Sequence, residues 1–422
     1  MIRKIACLLL FLPLTLHIAA AADFEKPQIG AGAAILMDAD TGQILYDKNI
    51  HQKEYPASLT KILTAVLALE RGKLSDTVTM SDKAVSSLPR GASNIALVPG
   101  EKLSLEQALY ATLLMSANEA SNAVAEHIGG SLEAFAAEMN RRAGELGALG
   151  TNFVNPSGLS DDNHYTTAYD LAVITRHAIG MPEFLRIDGT ITYTMQPTNM
   201  QPEPRHFANE QKMMKNTPYY YEEVFAGKTG YTSKAGHTLA TAARKDGRTL
   251  ICIILDGRSA QMPYEDTKTL LDYGFDNFQE YTLSKGEINA ALAPMLGEAE
   301  QRAAVEADFS ALIPAGAEVG DISMDLNDQK TAVSFRLDSP DLGEAAALGS
   351  LSLSYPALSE EARAAAVINE TSREPAKRPL LSVILFVTAA LLLTAALIYI
   401  RRARRIRIKR LRRQRYARRR YK

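Results

Sequence analysis

Cysteine is nearly absent from this 422-residue chain: Cys7 and Cys252 are its only two. Cys7 lies in an N-terminal apolar segment, too early in it to mark a lipid-attachment site. With that segment removed, no intramolecular disulfide is possible. The domain must then stand on its hydrophobic core, for which about 250 residues are ample. Cys252 sits in the apolar run Thr249-Leu-Ile-Cys-Ile-Ile-Leu255, which reads as a buried strand, so its thiol is expected to be an inert packing group. Also missing is any His, Cys, Asp or Glu set at metal-ligand spacing, so neither a metal nor another cofactor is implied. No internal repeat is present.

Net charge is low too, at −1, but that figure hides two opposite populations. Fourteen Lys and Arg with no acid fall in 401–422 and two bases fall in 1–22, which leaves 31 bases against 48 acids between them. So acidic a middle does not suit nucleic acid or another anionic polymer. Residues 1–22 run from Arg3 and Lys4 through an apolar stretch to small residues, the layout of a cleaved secretory signal peptide in preference to an uncleaved anchor. Residues 380–400 are apolar except for Ser382, Thr388, Thr394 and Tyr399, long enough to cross a bilayer as a helix. The basic flank beyond them places the C-terminus in the cytoplasm and everything before residue 380 outside. On this reading the tail 401–422 rests on anionic lipid head groups, and the chemistry is extracellular.

Between the ends, residues 33–38 and 43–47 flank Asp40-Thr41-Gly42 and read as a β-hairpin. Residues 58–70 read as a helix that is apolar nearly all round, hence central, and ended by Gly72. Helices are also expected over 105–128, 132–146 and 168–179. A second hairpin follows, 238–244 and 249–255 about Asp246-Gly247. Strands at both ends of a helical middle predict an α/β (α+β) domain, one antiparallel sheet with helices packed on it, over 23–280. From 281 to 358 short alternating runs such as Val333-Ser-Phe-Arg-Leu337 predict a small all-β domain, and 359–379, rich in Ala, Glu and Arg, reads as a stalk.

Three short motifs follow one another in this frame: Ser58-Leu-Thr-Lys61, Ser116-Ala-Asn118 and Lys228-Thr-Gly230. Each is weak alone; their order and spacing carry the reading. Ser58 and Lys61 lie three apart at a helix start, on one face. Lys61 can take the Ser58 proton only if burial, with Lys228 nearby, lowers its pKa. Ser116 would pass a proton to a leaving amine, and Asn118 would hold Lys61 and the substrate. Lys228 and Thr229 offer a cation and a hydroxyl to a terminal carboxylate. Gly230 would let an extended peptide lie along an edge strand. The N–H groups of Ser58 and Tyr231 would form an oxyanion hole. Together these parts suit the opening of an amide in a substrate with a free carboxylate.

The set is the one found in penicillin-binding proteins and class A β-lactamases. Over about 31–277 the chain further resembles the D-alanyl-D-alanine carboxypeptidases, low-molecular-mass penicillin-binding proteins. The resemblance includes Pro56-Ala-Ser-Leu-Thr-Lys61, Met139-Asn140, Thr151-Asn-Phe-Val-Asn-Pro-Ser-Gly-Leu159, Lys228-Thr-Gly-Tyr-Thr232, Lys234-Ala-Gly236, Asp266-Thr-Lys268 and Leu270-Leu-Asp-Tyr-Gly-Phe275. It implies a penicillin-recognising, serine β-lactamase-like domain followed by a β-rich one. It also implies D,D-carboxypeptidase action on peptidoglycan stem peptides and β-lactams as covalent inhibitors, in an enzyme of the bacterial cell membrane. Two departures stand out. Met262-Pro-Tyr264 occupies a stretch where members often carry an arginine for the substrate carboxylate, and a full span replaces the amphipathic anchor of some relatives.

Two rival readings remain. A class A-like β-lactamase needs a deacylating glutamate in an E-x-x-L-N-type setting, and none lies between Asn118 and Lys228. An inactive membrane-tethered wall scaffold would have no need of the intact motifs.

Overall fold

The computed structural model describes residues 26–296, 303–317, 319–338, 343 and 346–355. The expected signal peptide, stalk, span and basic tail lie outside the described residues, none of whose helices is long and apolar enough to cross a membrane.

The centre is a five-stranded antiparallel sheet. Its strands are β1 (Ala33–Asp38), β2 (Ile44–Lys48), β7 (Val224–Thr232), β8 (Gly236–Lys245) and β9 (Arg248–Gly257), in the order β2-β1-β9-β8-β7. The N-terminal hairpin turns where the Asp38 carboxylate accepts the Thr41 amide and hydroxyl at 2.8 and 2.6 Å. The β8–β9 turn uses Asp246 and Gly247, both at positive φ (51° and 84°), as a two-residue hairpin demands. Pairing of β1 with β9 therefore joins the two ends of the domain and leaves the helical middle as a long insertion. Strand β9 is apolar from Leu250 to Leu255 because both of its faces are covered there. Ile251, Ile253 and Leu255 enter one core, while Leu250, Cys252 and Ile254 enter another on the opposite side. Cys252 is fully buried, and burial pushes its thiol up to about 12, as suits a packing group.

Helices cover both faces. On one side lie α1 (Thr60–Arg71), α3 (Leu105–Leu114), α4 (Asn118–Gly129), α5 (Leu132–Glu145), α6 (Ala168–Ile179) and α7 (Pro182–Asp188). On the other lies α8 (Met262–Asp276). Helix α1 is buried from Thr60 to Ala68 without interruption, so truncating a residue such as Leu63 to Ala would cost about 2–5 kcal/mol. A side chain at Gly72 would strike Leu105 and Ile128, which fixes where α1 stops. Side-chain caps start three of the others: Ser104 and Gln107 form a capping box on α3, and Ser131 and Thr167 cap α5 and α6. The stretch 105–128, helical in its sequence pattern with the second motif read as a turn joining helices, divides into α3 and α4 at Met115–Ala117, where Ser116 takes φ 55°. Around this layer sit the short helix α2 (Asp82–Ser86) and two small hairpins, β3 (Thr77–Thr79) with β4 (Lys102–Ser104) and β5 (Thr192–Met195) with β6 (Arg205–Ala208).

After α8 come β10 (Phe278–Leu283), paired with β11 (Phe309–Pro314), and a three-stranded sheet of β12 (Ile322–Leu326), β13 (Ala332–Leu337) and β14 (Ala347–Ser352). One helix, α9 (Lys285–Leu292), lies between β10 and β11, so this region is β-rich where an all-β domain was expected. Its own core stacks Phe309 on Phe335 at 3.8 Å between ring centres. The Gln43 amide ties it to the main sheet, donating to Leu312 O at 2.6 Å and accepting from Leu312 N at 2.8 Å.

Candidate active site

Immediately before α1 the chain makes one tight turn, Ala57–Leu59, with Ala57 at φ 49°. Ser58 rides on that turn. Gly158, at φ +83°, passes so close beneath it that a Cβ there would lie 1.7 Å from Ala57 O. A relay supports the same turn: Val154 N donates to His164 Nδ1 at 3.1 Å, and His164 Nε2 lies 2.9 Å from the Thr60 hydroxyl, which donates to Ala57 O at 2.9 Å. With Nδ1 accepting, the imidazole is neutral and Nε2 is its donor. Burial agrees, holding the His164 pKa down to about 4.

At the second residue of α1, Lys61 is completely buried. Its ammonium lies 3.0 Å from Ser58 Oγ, 2.8 Å from Asn118 Oδ1 and 2.6 Å from Ser157 O. An ammonium has three N–H groups for these three oxygens. A neutral amine has two, enough for Asn118 and Ser157, and its lone pair is then free for the Ser58 proton. The lysine pKa is driven well below its ordinary value, first by burial and then by the charge of Lys228; Glu210 and Glu119 oppose the shift.

Ser116 and Asn118 come from the break between α3 and α4. The Asn118 amide is pinned from both ends, Oδ1 on Lys61 and Nδ2 on Ser93 O at 3.0 Å. Ser116 lines the cleft, and its hydroxyl has no hydrogen-bond partner among the described residues.

The third motif lies on β7, an edge strand of the main sheet. Lys228 is 1% exposed and lies behind the cleft wall, its ammonium donating to Thr229 O at 3.1 Å. The sequence reading offers its cation, with the Thr229 hydroxyl, to a terminal carboxylate. Burial lowers its pKa, against the charges of Glu210 and Asp188. The Thr229 hydroxyl instead donates to Glu210 Oε2 at 3.3 Å. Gly230 has a reason beyond room for a peptide: a Cβ there would lie 2.4 Å from Thr238 Oγ1 and 2.9 Å from Ser58 N. Strand β7 can abut the Ser58 turn only as bare backbone. Tyr231 stands exposed with its ring 4.4 Å from that of His237.

Ser58, Ser116, Asn118, Thr229, Gly230 and Tyr231 thus border one cleft of about 1310 Å³, with Lys61 and Lys228 buried behind it. Residues without a role in the sequence reading complete it. Asn155 Oδ1 accepts from the amides of Ser157 and Gly158 at 3.1 and 2.8 Å, shaping the turn that aims Ser157 O at Lys61. Asp188, fully buried at the end of α7, accepts from Gly227 N at 2.7 Å with Oδ2, while Oδ1 has no partner among the described residues. Burial raises its carboxyl to about 7, against the lowering influence of Lys228.

A serine on a helix-start turn, hydrogen-bonded to a buried lysine of lowered pKa, is an arrangement suited to hydrolysis of the Ser–Lys type. Residues 20–259, more than half of the chain, match the D-alanyl-D-alanine carboxypeptidase family, and the chain belongs to that family of serine peptidases. D-alanyl-D-alanine carboxypeptidase DacA of Haemophilus influenzae is 32% identical over 296 residues, 67% of this chain and 73% of that protein. DacF of Bacillus subtilis is 34% identical over 261 residues, 60% of this chain and 64% of that protein, just under two thirds of its length. Among solved structures, a D-alanyl-D-alanine carboxypeptidase from Mycobacterium tuberculosis matches with TM-score 0.56 at 30% identity, covering 61% of this chain and 95% of that one.

Proposed function

We propose that the chain removes the terminal D-alanine from peptidoglycan stem peptides through an acyl-enzyme on Ser58. The observation that carries this is Lys61, fully buried and 3.0 Å from the Ser58 hydroxyl, with two other acceptors for its remaining N–H groups. Neutral Lys61 takes the Ser58 proton as Oγ bonds to the carbonyl carbon between the two D-alanines. The oxygen gathers negative charge toward the Ser58 and Tyr231 amides, where one such donor is worth about 10²–10³ in rate. When the C–N bond breaks, Ser116 gives its proton to the departing amine and takes in its place the one that Lys61 had gained, so the amine leaves as D-alanine and Lys61 is neutral again. Asn118 holds Lys61 and the substrate backbone, Lys228 and Thr229 serve the carboxylate end, and β7 pairs with the stem peptide. Water then enters, and Lys61 assists its attack on the ester to free Ser58.

β-Lactams present the same amide-and-carboxylate pattern and are expected to acylate Ser58. Residues 23–280 would form the catalytic domain and 281–358 a spacer. Residues 380–400 would anchor the protein in the bacterial cell membrane, with 1–22 cleaved, the catalytic domain outside and the tail on anionic lipid within. The intact mass of the protein after incubation with benzylpenicillin tests the site. One stable adduct on the Ser58 peptide, absent from Ser58→Ala, is expected. Drug consumption without an adduct would favour a β-lactamase, and no adduct with intact drug would favour a scaffold.

A further inference from the structure

A D,D-carboxypeptidase must recognise a free terminal carboxylate, and here the stretch expected to supply an arginine supplies none. Pro263 and Tyr264, in the first turn of α8, do reach the cleft wall, but neither carries a charge. Lys228 acts from behind β7, bonded to the backbone of its neighbour. Successive β7 residues face opposite ways: Gly230 abuts the Ser58 amide, whereas Thr229 meets Glu210 and Tyr231 meets His237. A carboxylate reaching the Thr229 hydroxyl therefore lies on the Glu210 and His237 side of the strand.

Among the described residues, Arg90, Lys212 and Lys215 are the Lys and Arg side chains that line the cleft. Arg90 belongs to the stretch leading to Ser93, whose carbonyl accepts from Asn118, and the Lys215 ammonium is bonded to Asn209 O. Lys212 is different. Its side chain is exposed, no described carboxylate pairs with it, and its Nζ lies 5.7 and 5.5 Å from the ring centres of Tyr219 and Tyr264. Those two rings stack at 4.8 Å, so one aromatic platform holds the ammonium at the cleft wall. Its charge reaches the strand pair, where it joins burial in lowering the pKa of His237, the residue opposite Tyr231 in the β7–β8 register. His237 is thereby made a poorer cation, and Lys212 remains the charged one.

We propose that Lys212 is the cation that receives the substrate's terminal carboxylate beside Thr229, in place of an arginine from the start of α8. This rests on the D,D-carboxypeptidase reading of the cleft. As a compact point charge on a flexible stem, lysine attracts a carboxylate without the two-pronged geometry of a guanidinium. It should therefore set affinity more than orientation.

The test compares acylation of the full chain by benzylpenicillin, which carries the carboxylate, with acylation by its methyl ester, which does not. In Lys212→Met the ratio of the two second-order rate constants should fall about tenfold, the scale of one charge-assisted hydrogen bond. Lys212→Arg should keep the ratio near that of the wild type. A ratio unchanged in Lys212→Met, with Ser58 still labelled and an unaltered melting temperature, would overturn the assignment of Lys212 alone. A wild-type chain labelled by neither compound would overturn the reading of the whole cleft, and this proposal with it.

Discussion

The Thr229 hydroxyl, proposed above to meet a substrate carboxylate, already donates to the Glu210 carboxylate at 3.3 Å. An acid of the chain itself thus occupies the position a ligand carboxylate would seek. The incoming anion must displace it and meets a like charge in doing so. Glu210 also raises the pKa of Lys61 and Lys228, opposing the shift that makes Lys61 a base.

Glu210→Gln should therefore speed acylation by penicillin at neutral pH, by about fivefold, as roughly 1 kcal/mol between unit charges about 4 Å apart in water would give. The acid limb of the pH–rate profile should move to lower pH, because Lys61 loses a neighbour that favours its protonated form. A slower variant would mean that Glu210 orients Thr229 for binding and does not compete for it.

Gly230→Ala tests the close approach of β7 to the nucleophile. The new methyl would meet Thr238 Oγ1, which cannot swing away freely because it donates to Pro56 O at 3.0 Å and so holds the turn that carries Ser58. It would also crowd Ser58 N, one of the proposed oxyanion donors. Acylation should drop about 10²–10³-fold. Wild-type labelling kinetics in this variant would remove the Ser58 amide from the mechanism.

The parts legible in the sequence were those set by local pattern. Apolar Thr249–Leu255 foretold a strand covered on both faces, Asp246-Gly247 its turn, and the apolar stretch after Ser58 a central helix. The burial of Lys228 was also readable in principle, since the period of two through Val224 and Ala226 carries it to the covered face of β7. What stayed hidden depends on the tertiary arrangement. Ser157 serves Lys61 through a backbone carbonyl, which no side-chain motif announces. Glu210, Lys212 and Asp188 reach the site because α7 and the segment after β6 pack beside β7, a neighbourhood that spacing along the chain does not encode.

Asp188 gives the last prediction, about stability and pH. Its carboxyl is pushed up to about 7 by burial, from an unperturbed 3.8. Between those values the folded protein holds a proton that the unfolded chain releases, so folding is favoured at the acid end and this contribution is lost as pH rises from about 4 to about 7. Asp188→Asn removes the titration while keeping an acceptor for Gly227 N. Relative to the wild type, the variant should therefore gain melting temperature steadily across that window. The opposite trend, a variant that falls further behind as pH rises, would show Asp188 ionised and paired with Lys228. The cleft would then stand on a buried ion pair and not on a protonated acid, and breaking it would cost about 3–5 kcal/mol at neutral pH.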